Sequence, residues 1–468
     1  MSKFREILSN LPEVSGPEKR LTFKQKLNWT IIILVSFFVL SIIPLWGLGP
    51  NNLAQFEQLS IILGASFGSI ISLGIGPLVT ASIVLQLLNG SGLLKFDTTS
   101  QEGRVFFQGV QKTLGFFFII FEASVFVLLG GLSPTEGLAL NQYRIIQFAL
   151  IGQLVIGGVL IMLMDEVVSK WGFGSGLSLF IAAGVAEQIF VRAFSPLSQA
   201  GTWALGTGLD PIGQVWVLLK SVFSANVDGA VLAFAGITAT LLVFVISVYG
   251  QAMKVEIPLS FGRIRGQGIR WPLNFIYTSN IPVILIAALI ANIQLWARLI
   301  DKPWLGTFSG GLPTGGIVSW LYGPNIVQAI YFGIRSGSFE GTILLQALVY
   351  VLFFIFGSII FSIFWVQTSG MDAKSQAKQI MASGLQIPGF RRDPRVIEQL
   401  LSRYISPLTV MGGAFVGFLA ATADLLGALS AGTGILLMVM IIYRLYEEIA
   451  KEHMMDVHPA IKKVIGGA

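Results

Sequence analysis

Apolar residues recur in ten stretches that approach the roughly 20 residues a helix needs to cross the ~30 Å hydrocarbon core of a bilayer, and the charged residues collect between them. The first five stretches run from Trp29 to Leu45, Leu59 to Leu88, Leu114 to Leu132, Ile145 to Met164 and Leu177 to Val191. The second five run from Ala230 to Tyr249, Phe275 to Trp296, Ile343 to Val366, Pro407 to Leu429 and Gly434 to Tyr446. Within lipid every backbone N–H and C=O must find a partner inside the chain, which a helix achieves by itself. The pattern therefore predicts an all-α integral membrane protein with ten transmembrane helices.

Two of these stretches are interrupted. Leu73-Gly74-Ile75-Gly76-Pro77 breaks the second and Asn280-Ile281-Pro282 breaks the seventh. Proline lacks an N–H and its ring blocks the carbonyl four residues earlier, so backbone groups are left open at membrane depth and must face protein or water. The sequence thus predicts that Pro77 and Pro282 each divide a span into two half-helices. Glycine-rich runs open the fifth span, Gly172-Phe173-Gly174-Ser175-Gly176, and the tenth, Gly432-Thr433-Gly434. Interruptions at matching places in two halves point to a transport path, and a repeat of five spans would be inserted upside down relative to the first. For the glycine-rich starts, close packing of small residues between helices remains an equal account. Glu122 lies inside an apolar stretch, where a carboxylate needs a partner or a proton; Thr80 and Asn280, beside the breaks, are the candidate partners.

Composition sharpens this picture. Of 468 residues 54% are apolar and 12% charged, and the mean hydropathy is +0.77. With ten spans both termini share one side, and 24 of the 30 Lys and Arg residues fall in that side's loops, which by the positive-inside rule makes it cytoplasmic. No cysteine is present, and His453 and His458 are the two histidines, so disulfide, thiol and the usual nitrogen or sulfur metal chemistry is not expected. No Gly-x-x-x-x-Gly-Lys-Ser/Thr loop occurs either, so no nucleotide-driven step is expected. Residues 1–28 carry basic groups without an apolar core, so a cleavable leader is not expected and the first span would direct insertion. Phe4, Ile7, Leu8 and Leu11 share a helical face, suited equally to the membrane surface or to the chain's own loops. Two long cytoplasmic loops, Tyr249 to Trp271 and Gln367 to Tyr404, carry Arg263, Arg265, Arg391 and Arg392. Such arginines either fix topology or grip phosphate and carboxylate groups.

Several motifs together carry a resemblance. Thr22-Phe23-Lys24, Leu73 to Thr80, Phe106-Phe107-Gln108-Gly109, Asp165-Glu166-Val167-Val168-Ser169-Lys170, Gly174-Ser175-Gly176, Val255-Glu256-Ile257-Pro258-Leu259, Ser279-Asn280-Ile281-Pro282-Val283-Ile284 and Ala431-Gly432-Thr433-Gly434 resemble the SecY family of protein-conducting channels. The likeness is strongest to the archaeal branch, related to the pore subunit of the eukaryotic endoplasmic reticulum translocon, and it covers about residues 3 to 461.

The resemblance implies a clamshell of two inverted pseudo-symmetric halves of five spans, hinged between the fifth and sixth, with a lateral gate between the second and seventh. It implies an N-terminal segment 1–28, halves at 29–195 and 230–450, an external connection at 196–229 and a cytoplasmic tail at 451–468. Residues matching the pore ring are Ile75, Val79, Leu177, Ile181, Ile284 and Leu437; the half-helix at about 53–71 matches the plug that fills the outer funnel at rest. Thr80, Glu122 and Asn280 match the polar cluster of the lateral gate, and Arg263, Arg265, Arg391 and Arg392 match ribosome and partner docking positions. The implied function is passage of unfolded secretory polypeptides, with sideways release of apolar segments into membrane lipid, and no enzymatic activity or cofactor. Implied partners are SecE (the gamma subunit), a beta subunit, the ribosome, and signal sequences and nascent polypeptides; the implied location is the cell membrane, multi-pass, with both termini cytoplasmic. A secondary transporter of a small solute also uses inverted repeats and broken helices, and is the alternative; an insertase or scaffold without a pore is a third class. The long external stretch from Asp301 to Gly341 is not given a role by the resemblance.

Overall fold

The computed structural model describes residues 13–19, 21–51, 66–90, 93–94, 101–135, 137–198, 202–206, 209–261, 268–278, 281–300, 302–309, 312–337, 341–382, 385–386, 393–430 and 432–457. Among these, seven helices are long and apolar enough to cross a membrane: α1 (Phe23–Ile42), α3 (Gln101–Leu128), α4 (Leu140–Trp171), α5 (Gly176–Phe194), α7 (Val227–Ala252), α11 (Gly341–Thr368) and α13 (Pro394–Leu425). The remaining three expected spans are occupied by α2 (Gly76–Gly90), α8 (Ile281–Ile300) and α14 (Gly432–Val457). Val35, Ile120, Phe148, Leu241, Leu348 and Phe356 stand exposed on these helices, as side chains facing hydrocarbon would. The chain divides into two compact units, residues 1–184 with 441–468, and residues 185–440.

In the first unit, α1 opens on a capping box: the Gln25 carboxamide accepts from the Thr22 N–H at 3.0 Å, satisfying a donor the helix itself cannot. Two short strands, β1 (Leu48–Asn51) after α1 and β2 (Leu132–Pro134) after α3, pair antiparallel. Helix α4, 32 residues long, runs well past the expected Met164. Its polar end is held from outside. The Val14 N–H donates to Glu166 at 2.9 Å, and the Trp171 indole donates to the Ser15 carbonyl at 2.9 Å. Lys112 pairs with Glu166, and Lys170 with Glu13. Lys170, first by its hydrogen bond and then by its charge, holds the Glu13 carboxyl below its usual range. Lys26 of α1 pairs with Glu452 of α14, and Phe23 meets His453 edge-on.

In the second unit, α6 (Gln214–Phe223) lies in what the sequence reads as a connection at 196–229. The stretch after α8 is structured too: β5 (Thr307–Ser309) and β6 (Leu312–Gly315) form a hairpin, followed by α9 (Ile317–Trp320) and the amphipathic α10 (Ile326–Ser336). Tyr331 of α10 donates to Asp228 at 2.6 Å, and Arg335 pairs with the same carboxylate. Both long loops, which the sequence reads as cytoplasmic, contribute to one sheet. Strands β3 (Lys254–Phe261) and β4 (Gly268–Asn274) form a hairpin, and β7 (Leu385–Gln386) adds to β3 at Ser260 and Phe261. Pro258 is tolerated because β3 is flanked on its second side only beyond it.

Beneath the sheet Ile257, Leu273, Tyr277, Ile380 of α12 (Ala373–Ala382), and Ile397, Leu401, Ile405 and Leu408 of α13 form a buried apolar core. The Tyr277 hydroxyl donates to the Met371 carbonyl at 2.8 Å. Helix α13 corrects the expected ninth span: it begins at Pro394, after an Asp393 cap that accepts from the Arg395 N–H at 2.9 Å, and Pro407 lies inside it. Asp393-Pro394 is a stronger start signal than Pro407, because proline belongs in the first turn and its missing N–H costs nothing there.

Candidate functional site

Among the described residues, the two proline breaks stand at helix starts. Each proline is the second residue of its helix, Pro77 in α2 and Pro282 in α8, and residues 66–75 form turns rather than the end of a helix. The turns are sealed from within. Ser69 Oγ donates to the Ser66 carbonyl at 2.7 Å, Ser72 Oγ accepts from the Gly68 N–H at 2.8 Å, and Ser66 Oγ donates to the Ser41 carbonyl at 3.2 Å. The backbone is also tied to the chain leaving α1, with Leu45 N–H on the Gly68 carbonyl at 2.9 Å and Ile70 N–H on the Ile43 carbonyl at 3.0 Å. Gly74 takes a left-handed φ of +55° at the last bend. The serines thus satisfy backbone groups that a helix would otherwise have paired.

Across this stretch lies α4, where a Cβ on Gly157 would come within 1.9 Å of the Ile70 carbonyl oxygen. Ile71, Leu73 and Ile75 are fully buried. Thr80 donates to Glu122 across α2 and α3 at 3.5 Å, as the sequence suggests, and a second pair, Gln111 to Ser82 at 2.6 Å, joins the same helices.

The openings of α5 and α14 are built alike. In the first unit, Thr30 of α1 donates to the Lys26 carbonyl at 2.9 Å and accepts from the Phe173 N–H at 3.1 Å; Asp165 of α4 accepts from the Leu177 N–H at 2.9 Å. In the second, Thr240 of α7 donates to the Gly236 carbonyl at 2.8 Å and accepts from the Leu429 N–H at 2.8 Å. There Asp424 of α13 accepts from the Gly432 N–H at 2.6 Å and from the Tyr350 hydroxyl at 2.8 Å. Each opening is a glycine pressed on its neighbour: a Cβ on Gly176 would lie 2.6 Å from Asp165 Cα, and one on Gly432 2.2 Å from the Ala420 carbonyl oxygen. The threonine, the aspartate and the helix start occur on the first, fourth and fifth spans of one set and the same spans of the other. This repeated hydrogen-bonding scheme decides for an internal repeat over simple close packing at the glycine-rich starts.

The six expected ring positions fall as follows. Ile75 and Val79 stand one turn apart at the start of α2, the Val79 N–H on the Ile75 carbonyl at 3.0 Å. Leu177 and Ile181 share a face of α5's first turns, Ile284 lies in the first turn of α8, and Leu437 lies in α14. Ile75, Ile181 and Leu437 are buried, and Val79, Leu177 and Ile284 are half-buried. Asn280, Arg263, Arg265, Arg391, Arg392 and residues 52–65 of the expected plug lie outside the described residues. Sequence reasoning missed Thr30, Thr240 and Asp424 as site residues and Ser72 as part of the seal. Asp165 entered only as part of a motif, and no spacing rule links it to a helix twelve residues on.

A family model for SecY matches residues 69–446, and one for the plug domain of Sec61p matches residues 35–68. The chain belongs to the SecY family. It is 44% identical to the protein translocase subunit SecY of Methanothermobacter thermautotrophicus, over 99% of this chain and 98% of that protein. Identity to the SecY subunit of Methanocaldococcus jannaschii is 42%, over 99% of this chain and 100% of the relative. A solved structure described as that of a protein conducting channel superposes with a TM-score of 0.78 at 42% identity, covering 98% of this chain and 99% of the other. Sec61 in the canine ribosome-channel complex gives 0.75 at 42% identity, with the same coverage. The SecY fold, an all-α membrane protein with ten spans, therefore holds for this chain.

Proposed function

We propose that this SecY-family chain is the pore-forming subunit of a protein translocase that passes unfolded polypeptides through the membrane and releases apolar segments into lipid. The observation that carries the reading is the serine-sealed turn stretch 66–75, ending on buried Ile75 at the start of α2, in a chain similar over nearly its whole length to a protein-conducting channel. Ile75, Val79, Leu177, Ile181, Ile284 and Leu437 supply an aliphatic waist. Such a waist offers an ion nothing in place of its hydration shell, a large penalty in a dry constriction, and it also dewets. Aliphatic side chains fit around any passing residue without selecting one. The plug, about 53–71, closes the outer side at rest.

Thr80 and Glu122, with Asn280, form the polar closure of a lateral gate between the second and seventh spans; the Thr80 to Glu122 contact supports this. Arg263, Arg265, Arg391 and Arg392 dock the ribosome, supported by the one sheet that carries both segments and by the relative seen in a ribosome-channel complex. SecE and a beta subunit complete the complex in the cell membrane, with both termini cytoplasmic. A small-solute transporter would gather ionisable groups at the breaks, whereas Pro77 and Pro282 are flanked by Ile75, Leu78 and Val79 and by Val283 and Ile284.

The test is a stalled secretory chain carried by ribosomes into membranes containing the complex, with photoreactive probes at Ile75 and Ile284. Crosslinks from both positions to the arrested chain are expected. Export that proceeds without contact at either position would overturn the reading.

A further inference from the structure

The openings of α5 and α14 use two buried threonines and two half-buried aspartates that nothing in the proposed passage of polypeptide touches. Thr30 and Thr240 each spend their hydroxyl hydrogen on the carbonyl four residues back and leave a lone pair for an incoming N–H. That N–H belongs in each case to the residue three before the glycine that opens the helix, Phe173 before Gly176 and Leu429 before Gly432. Asp165 and Asp424 then take the first free N–H groups of those helices, Leu177 and Gly432, groups that no turn of the helix itself can satisfy. The bonded residue in the first unit is itself a waist position, Leu177. In the second, Leu437 follows Gly432 by five residues, about 7.5 Å along a stiff helix.

We propose that Thr30 with Asp165, and Thr240 with Asp424, are positioning residues that fix the starts of α5 and α14 and so hold Leu177, Ile181 and Leu437 in the closed waist. This rests on the waist reading above. Two separate pins set each helix start, one on the approach and one on its first turn, so the end cannot slide along its axis or turn about it without breaking a buried bond.

The test uses the complex with its partner subunits in planar bilayers, and reads resting ion current. Thr30→Val and Thr240→Val keep the side-chain shape and remove the acceptor; Asp165→Ala and Asp424→Ala remove the cap. Each is expected to raise resting current about tenfold, the population shift that corresponds to ~1.4 kcal/mol. Thr→Ser and Asp→Asn at the same positions retain an oxygen acceptor and are expected to stay close to the parent. Val and Ala variants as tight as the parent would overturn the proposal, as would Ser and Asn variants that leak as much as Val and Ala.

Ile75→Gly combined with Ile284→Gly serves as the control for the waist itself: it is expected to leak. If it leaks and the four positioning variants do not, the waist stands and the pins fail. If the control is tight, the waist reading fails, and a second measurement then decides the pins. Because the chain has no cysteine, Leu177→Cys and Leu437→Cys give single thiols whose labelling by an aqueous reagent should rise in the Val and Ala backgrounds and not in the Ser and Asn ones. Unchanged labelling in every background overturns the pins. The isosteric Thr→Val pair carries the test if an Ala variant does not assemble.

Discussion

Replacing Gly157 by alanine puts a methyl group where α4 has no room for it. The added Cβ would stand 1.9 Å from the Ile70 carbonyl oxygen and 2.8 Å from its carbon, against an ordinary contact of 3.4 Å or more. Helix and turn must therefore part by about 1.5 Å at this point, and the obstacle is backbone that no rotamer change removes. The Ile70 N–H is already bonded to the Ile43 carbonyl, so the strain spreads along the stretch that leads to Ile75. Overpacking of this kind costs roughly 1–3 kcal/mol, partly offset by the ~1 kcal/mol that alanine gains over glycine in a helix. Gly152 on the same helix has nothing within 4 Å of its Cβ position, so Gly152→Ala keeps the propensity gain without the clash. The expected result is a lower thermal midpoint for Gly157→Ala than for Gly152→Ala in detergent, followed by loss of the monodisperse complex on size-exclusion chromatography. Resting current in bilayers should rise in Gly157→Ala alone. A Gly157→Ala complex as heat-resistant as Gly152→Ala would refute the tight contact.

Two further outcomes are expected. Lys170 depresses the Glu13 carboxyl below its ordinary value of 4.5, so the clasp of residues 13–15 on α4 is intact above that value and is lost as pH falls through the depressed one. A fluorophore on Ser15→Cys should report release on acidification, and in Lys170→Met the release should begin at higher pH; identical titrations would remove Glu13 from the clasp. Arg391→Glu with Arg392→Glu should weaken ribosome binding in sedimentation assays, and the parent's binding should fall with added salt as RNA contacts do; undiminished binding by the double variant would return these arginines to a topological role.

The ten spans were legible because membrane burial imposes a composition that few other environments share. Their ends were less so. The polar tail of α4, Asp165 to Trp171, reads as loop, yet it stays helical because residues 13–15 and Lys112 satisfy it from elsewhere in the chain. The hairpin of β3 and β4 falls in a segment the sequence reads only as a long loop, and the third strand from residue 385 depends on pairing that no local pattern carries. Pro77 and Pro282 were visible as interruptions. Their place as helix starters was also available from proline's preference for the first turn. Thr30 and Thr240 could not be distinguished from other threonines in spans, since their partners lie 143 and 189 residues away.

Helix α13 is 32 residues long, about 48 Å at 1.5 Å per residue, and so exceeds the ~30 Å apolar layer by more than half again. One end of it packs against the three-stranded sheet through Ile397, Leu401 and Ile405, and its far end grips α14 through Asp424. Such an element works as a strut: a push delivered beside Asp393 is carried along one continuous helix toward Asp424. Pro407, which leaves one rung of its ladder unbonded, is where that rod can flex.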